Sequence, residues 1–270
     1  MWLALRSKGA PIPVQEFTAA GFSIAVQCWS FKEFTLFQAI EMAAAAGANV
    51  EIFPGQKIGG ELGDLEFGVD LSDDSIQLVR DYLKKNHIRA VNFGVTPISK
   101  DEAQARKIFE FAKKLDLYGV TTESLEAIDT LEKLSAEYDI KVCFHNHPKP
   151  TALWNPETVW NAVKDRHENI GFCADVGHWA SSNLNPLEVI RKVAPRVRSL
   201  HLKDRESMSE WSHDRPFGSG VMDLVAILDE VCKHRFVGNV TIEYEHNWET
   251  NITEIAQCVG YLRAYAAMRG

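Results

Sequence analysis

Eight short runs of β-branched and aromatic residues, each followed by a stretch with helical spacing, predict an α/β fold closed as a single (β/α)8 barrel. Three observations carry that expectation. The alternation repeats from about residue 22 to the C-terminus without a linker or a shift in composition. No GxGxxG follows the first run, which argues against an open dinucleotide-binding sheet. The 270 residues also fit one barrel, a fold that typically needs about 250.

The strand candidates in order are "FSIAVQCWS", "NVEIFPG", "IRAVNFGV", "YGVTTES", "IKVCFHNHP", "NIGFCADVGH", "RVRSLHLKD" and "NVTIEYEH". Amphipathic segments between and after them include Phe34–Ala46, Asp73–Asn86, Asp101–Leu115 and Asn251–Met268. Ser72-Asp73-Asp74 and Ser99-Lys100-Asp101 offer side chains that can cap a helix start. Asn155-Pro156 and Asn185-Pro186 place proline in a first turn, where its missing N–H costs nothing. The expected organisation is an N-terminal extension over 1–20 and a barrel domain over 21–270. In "MWLALRSKGAPIPVQ" the apolar stretch breaks at Arg6 and Lys8, short of the roughly 7–15 residues of a signal core. No run approaches the roughly 18 apolar residues of a membrane span. A cytoplasmic protein without a membrane partner is expected, and a start within a longer precursor stays open.

With 46% hydrophobic and 24% charged residues, the chain can bury a large core. A net charge of -8 without a basic run argues against a nucleic-acid partner, whose phosphates need lysine and arginine. The five cysteines are odd in number and form no CxxC pair, so they read as reduced thiols.

The fifth run ends as "KVCFHNHPKP", with two imidazoles on one side of a strand. A barrel assembles its active site at the C-terminal ends of its strands, which gives these histidines a context. The fourth run ends in Glu123 and the sixth in Asp175 with His178 beyond it. His201, Lys203 and Asp204 close the seventh, and Glu243, Glu245 and His246 the eighth. Any one of them could be a satisfied core histidine or a solvated acid, but four successive strand ends are not explained that way. Imidazoles and carboxylates that converge suit one divalent cation, which also cancels their repulsion. The period of two pairs His145 with His147, His201 with Lys203, and Glu243 with Glu245. The inner member of each pair is expected on the metal, giving His145, Asp175, His201 and Glu243, with His147 a rival to His145.

"CADVGH", "LHLKD", "FGSGVMDL" and "TIEYE" together resemble the xylose isomerase-like TIM barrels, a superfamily of sugar isomerases and epimerases that also holds endonuclease IV and inosose dehydratase. The resemblance runs over nearly the whole chain from Gly21. It implies that Asp175, His201 and Glu243 are metal ligands and that His178 contacts substrate. The epimerases usually carry a glutamate at the fifth-strand ligand position, where this chain has His145. Their two-carboxylate proton exchange therefore does not carry over intact.

The expected function is a metal-dependent isomerase or epimerase acting on a small sugar or keto-sugar through an enediolate, with Zn, Mn, Co or Mg as the cation. Glu243 is the expected proton shuttle, with Glu123, His178 or Lys203 as a second acid or base. His147, Trp29, Trp179, Arg215 and Trp248 are expected to bind substrate, with Trp211 as a further ring. A lyase or dehydratase on a keto-sugar or inosose is the alternative, because the same enediolate can expel a β-hydroxyl. An endonuclease IV-like nuclease is disfavoured, since strands two and three supply Glu51 and Asn92 but no histidine. A non-catalytic sugar-binding barrel and a homo-oligomer remain open. "PGQKIGGELG" with Lys57 reads as a lid or a phosphate loop.

Overall fold

The computed structural model describes residues 17–209 and 212–269. Trp211 and all but residues 17–20 of the expected extension lie outside them.

Eight parallel strands form a closed barrel: β1 (Ser23–Gln27), β2 (Asn49–Ile52), β3 (Ala90–Phe93), β4 (Gly119–Thr122), β5 (Lys141–His145), β6 (Ile170–Asp175), β7 (Val197–Leu202) and β10 (Asn239–Ile242). Each arises from one of the eight expected runs. Between β7 and β10 lies an unexpected antiparallel ribbon of β8 (Asp204–Arg205) and β9 (Asp214–Arg215). The helices are α1 (Leu36–Ala46), α2 (Asp73–Lys85), α3 (Glu102–Lys114), α4 (Ile128–Tyr138), α5 (Pro156–Val163), α6 (Val176–Ser181), α7 (Pro186–Val193), α8 (Leu224–Lys233) and α9 (Ile252–Ala267). None of the described helices is long and apolar enough to cross a membrane.

The expected caps form. Ser72 and Asp101 accept from the N–H groups of Ser75 and Asp101's third successor Gln104. Asn155 and Asn185 cap helices that begin with Pro156 and Pro186. Such caps are each worth about 0.5–2 kcal/mol. All five cysteines are free thiols, four of them buried.

Alternation along the strands separates two environments. Val50, Ile52, Val120, Val142, Leu200, Val240 and Ile242 belong to the apolar core cluster with the helices. The intervening residues meet one another across the barrel. Glu51 on β2 accepts the hydroxyls of Thr121 on β4 (2.8 Å) and Thr241 on β10 (3.0 Å), and neither strand neighbours β2. The Asn92 amide likewise donates to Ser199 (3.2 Å) and its carbonyl accepts from Asn239 (3.2 Å). The barrel interior is therefore polar and cross-linked, where barrels are more often filled by branched aliphatic side chains.

The ribbon is held by charge. Asp204 accepts the backbone N–H groups of Gly218 (2.9 Å), Gly220 (2.9 Å) and Met222 (3.1 Å). Arg205 donates to Asp214 (2.7 Å), whose other oxygen accepts the Glu245 N–H (2.6 Å). That chain of contacts fixes the segment after β10 over the barrel mouth. At Gly177 a Cβ would lie 2.6 Å from Lys203 Cδ, so the bare backbone there leaves room for the lysine stem.

Candidate active site

β4, β5, β6, β7 and β10 deliver their terminal polar residues to one end of the barrel. His145 is buried at the end of β5. Its Nδ1 hydrogen-bonds Glu123 Oε1 at 3.3 Å, which leaves Nε2 facing Asp175 Oδ2 at 3.6 Å. Asn146, between the two histidines, points the other way. Its amide donates to the Asp175 carbonyl and its oxygen accepts the Asp175 N–H, both at 3.0 Å. The middle residue of "HNH" thus clamps the ends of β5 and β6 together. Sequence reading passed over it as a loop residue, although the period of two already placed it on the opposite face from both imidazoles.

Asp175 Oδ1 caps α6 by accepting the His178 N–H at 2.7 Å, and Oδ2 turns inward. His201 lies fully buried, with Nδ1 3.3 Å from Glu243 Oε2 and Nε2 3.1 Å from Glu51 Oε1. Glu51 is an interior acid that sequence reading weighed only as a missing nuclease ligand. A carboxylate behind each imidazole is the arrangement that orients metal-binding histidines. The Glu123 contact is an aligned hydrogen bond, while the Glu51 contact is a close charge pair outside hydrogen-bond alignment.

The donor set fits a divalent cation on a direct observation. His145 Nε2, Asp175 Oδ2, His201 Nδ1 and Glu243 Oε2 are all buried without a hydrogen-bond partner among the described residues. Each of the four expected ligands supplies such an atom, and His201 supplies a second, Nε2. Leaving a buried polar atom unpaired costs about 1–3 kcal/mol; the Lys203 ammonium offsets part of this at the two carboxylate oxygens, and a cation would satisfy all four donors. By mutual proximity alone the converging group is His145, Asp175, His178 and Glu243, all within 4.8 Å, with His178 in place of His201. His178 differs from His201 because its Nε2 has Lys203 at 3.4 Å and its ring lines the open cavity. The orphaned atoms favour His201 as the fourth donor, and cavity exposure favours His178 for substrate.

Lys203 is buried among the acids. Its Nζ lies 2.8 Å from Glu243 Oε2 and 3.2 Å from Asp175 Oδ2, and also pairs with Glu245 Oε2. The first two are charge contacts without hydrogen-bond alignment, consistent with those oxygens being orphaned. Burial alone would lower the lysine pKa, but Asp175, Glu243 and Glu245 drive it well above its ordinary value, so the ammonium is retained. Burial would raise the Glu243 carboxyl, and Lys203 and His201 reverse this and hold it well below the usual range. His178 is pushed well below its ordinary value by burial and is neutral at pH 7. His145 is raised: Asp175 and Glu123 outweigh the effect of burial, so a proton competes with a cation for the ring.

Glu123 sits behind the histidines and does not line the cavity. Its Oε1 also accepts the His147 N–H (3.1 Å) and contacts His147 Nδ1 (2.6 Å). Burial would raise this carboxyl, and the hydrogen bonds of His145 and His147 hold it well below its usual range. Glu123 thus meets two imidazoles and is outside the cavity lining, which favours positioning over the expected acid–base role at the substrate.

A cavity of about 250 Å³ opens onto this group, lined by His147, His178, Glu243 and Glu245 on one side and Gln27, Trp29, Phe53 and Pro54 on the other. Trp29 is fixed by its indole N–H on Glu245 Oε1 at 3.2 Å. Two expected substrate contacts are corrected. Trp179 is fully buried and packs its ring against Phe172 at 6.4 Å, because α6 turns it into the core. Arg215 lies on β9 and pairs with Glu206, outside the cavity lining. Trp248 is also outside the lining, 6.3 Å from Trp29 with the Lys32 ammonium 3.7 Å over its ring. Lys57 is paired with Asp64 at 2.9 Å.

Comparison with known proteins agrees with this fold. The family description xylose isomerase-like TIM barrel matches residues 119–265, which carry every proposed metal-binding side chain. Inosose dehydratase of Histophilus somni is 29% identical over 140 residues, 45% of this chain and 47% of that protein. The match therefore spans about half the length of the curated relative. An uncharacterised protein from Parabacteroides distasonis has a solved structure with 30% identity, TM-score 0.73, and coverage of 90% of this chain and 99% of that one. A xylose isomerase-like TIM barrel protein from Mycobacterium smegmatis, solved in complex with magnesium, has TM-score 0.73 at 16% identity, covering 93% of this chain and 99% of that one, a likeness of fold.

Proposed function

The chain belongs to the xylose isomerase-like TIM barrel family, and from that premise we propose that it is a metal-dependent dehydratase of a small polyhydroxylated ketone such as a keto-sugar or inosose. The observation that carries this reading is the fifth-strand position. An imidazole backed by Glu123 stands where a second carboxylate base would serve inversion at carbon. The half-length similarity to inosose dehydratase supports the same choice, which reverses the order expected from sequence, where isomerisation came first.

His145, Asp175, His201 and Glu243 would hold the cation, since each offers an orphaned buried atom. Bound there, a divalent ion supplies a Lewis acid for a carbonyl and its neighbouring hydroxyl. The remaining chemistry falls to the chain. Glu243, held ionised and lining the cavity, is placed to take the proton from the carbon beside the carbonyl. Lys203, held charged, stabilises the oxyanion that develops as that proton leaves. His178 and His147 line the same cavity beside Glu243, and the β-hydroxyl leaves as water on taking the proton back from Glu243, which regenerates the carboxylate. Trp29 covers an apolar ring face. In this reading the barrel domain is 21–270, its first core residue being Phe22.

The test is product analysis. A panel of inososes and keto-sugars is incubated with the Mn²⁺-loaded protein in heavy water. An unsaturated or dehydrated product is expected, and an epimer carrying solvent deuterium, with no dehydration, would return the assignment to the isomerases.

A further inference from the structure

Next to the reacting cavity lies a larger one of about 520 Å³. Trp29 and Phe53 line both and form their common wall. None of the metal-site histidines or carboxylates reaches the outer space, whose other linings include Phe34, Lys32, Gln38 and Gln56. The inner volume of about 250 Å³ falls below the roughly 300–1,000 Å³ of ordinary ligand sites, so the reacting group fills only part of the available space.

The outer lining has a definite chemistry. Three aromatic rings offer apolar faces, with Trp29 and Phe53 edge to face at 5.2 Å and therefore fixed relative to each other. Gln56 is 3% exposed; its Nε2 donates to the Phe34 carbonyl at 3.1 Å, and its Oε1 has no partner. Gln38 commits its Oε1 to the Thr35 N–H (3.0 Å) and hydroxyl (3.1 Å), which leaves its Nε2 for a ligand acceptor. The Lys32 ammonium, held over Trp248 and Trp29, adds a further donor. Flat apolar faces ringed by both donors and acceptors suit a hydroxylated ring. A purely apolar group would leave the Gln38 amide and the Lys32 ammonium unused, and a phosphate would meet the Glu33 carboxylate with Lys57 already held by Asp64.

We propose that the outer cavity is a subsite for a second sugar ring, so that the substrate is a keto-sugar carrying a glycosidic substituent. This deepens the proposed function and rests on it, because the first ring must occupy the inner cavity. Trp29 would then contact both rings from the wall between them.

Calorimetric titration of the Mn²⁺-loaded full chain with glucose, maltose and cellobiose tests the subsite without any turnover. At least one disaccharide should bind tenfold or more tightly than glucose. Phe34→Ala and, separately, the exposed Gln38→Ala should remove that advantage and leave glucose affinity unchanged, with thermal unfolding confirming that each variant is folded. Glucose binding with no gain from either second ring would overturn the subsite while sparing the dehydratase reading. Equal loss for glucose and disaccharide in both folded variants would overturn it as well. If none of the three sugars binds, the subsite is overturned, and the dehydratase reading stands or falls separately on the product analysis.

Discussion

His145 at the rim and His201 in the barrel interior show how one device is built in two surroundings. At the rim, Glu123 hydrogen-bonds His145 at 3.3 Å, is 30% exposed, and serves His147 as well. In the interior, Glu51 lies 3.1 Å from His201 with no exposure, and its own oxygens are held by two threonine hydroxyls. Water can replace a lost contact at the rim and cannot do so inside. In the proposed site the interior pair would serve stability as well as the cation, whereas the rim pair would couple the cation to the cavity through His147.

The largest expected effect separates the histidines themselves. His145→Ala and His201→Ala should each weaken Mn²⁺ binding by more than the roughly 10–100-fold cost of losing a backing partner, and should abolish turnover. Titration calorimetry and bound-metal stoichiometry check this. If His178→Ala strips the metal while His201→Ala retains it, the interior imidazole is not a ligand and the comparison breaks.

Lys203→Met comes next. It removes a positive charge that shares Asp175 and Glu243 with the cation, so metal should bind more tightly. Turnover should nonetheless fall about 10²–10³-fold through loss of oxyanion stabilisation. Tighter metal with full activity would make the lysine a placeholder for charge alone.

Glu51→Gln and Glu123→Gln sharpen the contrast directly. Glu51→Gln should weaken the metal roughly 10–100-fold and cost about 1–3 kcal/mol in urea unfolding, because the new amide leaves a buried donor unpaired. Glu123→Gln should cost little stability and raise the KM, as His147 loses its anchor at the cavity. Equal unfolding costs for the two variants would erase the distinction between rim and interior.

The smallest effect is a control outside both regions. Asp101→Ala removes the cap of α3 and should cost about 1 kcal/mol with no change in metal affinity.

The sequence by itself determined the barrel. Strand and helix periodicity are local, and each of the eight runs needed only its own residues and its neighbouring caps to declare itself. It also determined that carboxylates and imidazoles collect at one end, because parallel strands of a barrel all finish on the same side. Only the tertiary structure decided which atoms meet. Glu51 and His201 are 150 residues apart in sequence and touch solely because β2 and β7 face each other across the closed barrel. Trp179 follows β6 nearly as closely as Trp29 follows β1, and Arg215 lies in the long segment after β7, yet α6 turned one into the core and the β8–β9 ribbon carried the other outward. Glu123 could be read as a base until its oxygen was found on two imidazoles. Side-chain direction beyond a strand end depends on loops and cross-barrel partners, which are set by closure of the whole sheet and not by local pattern.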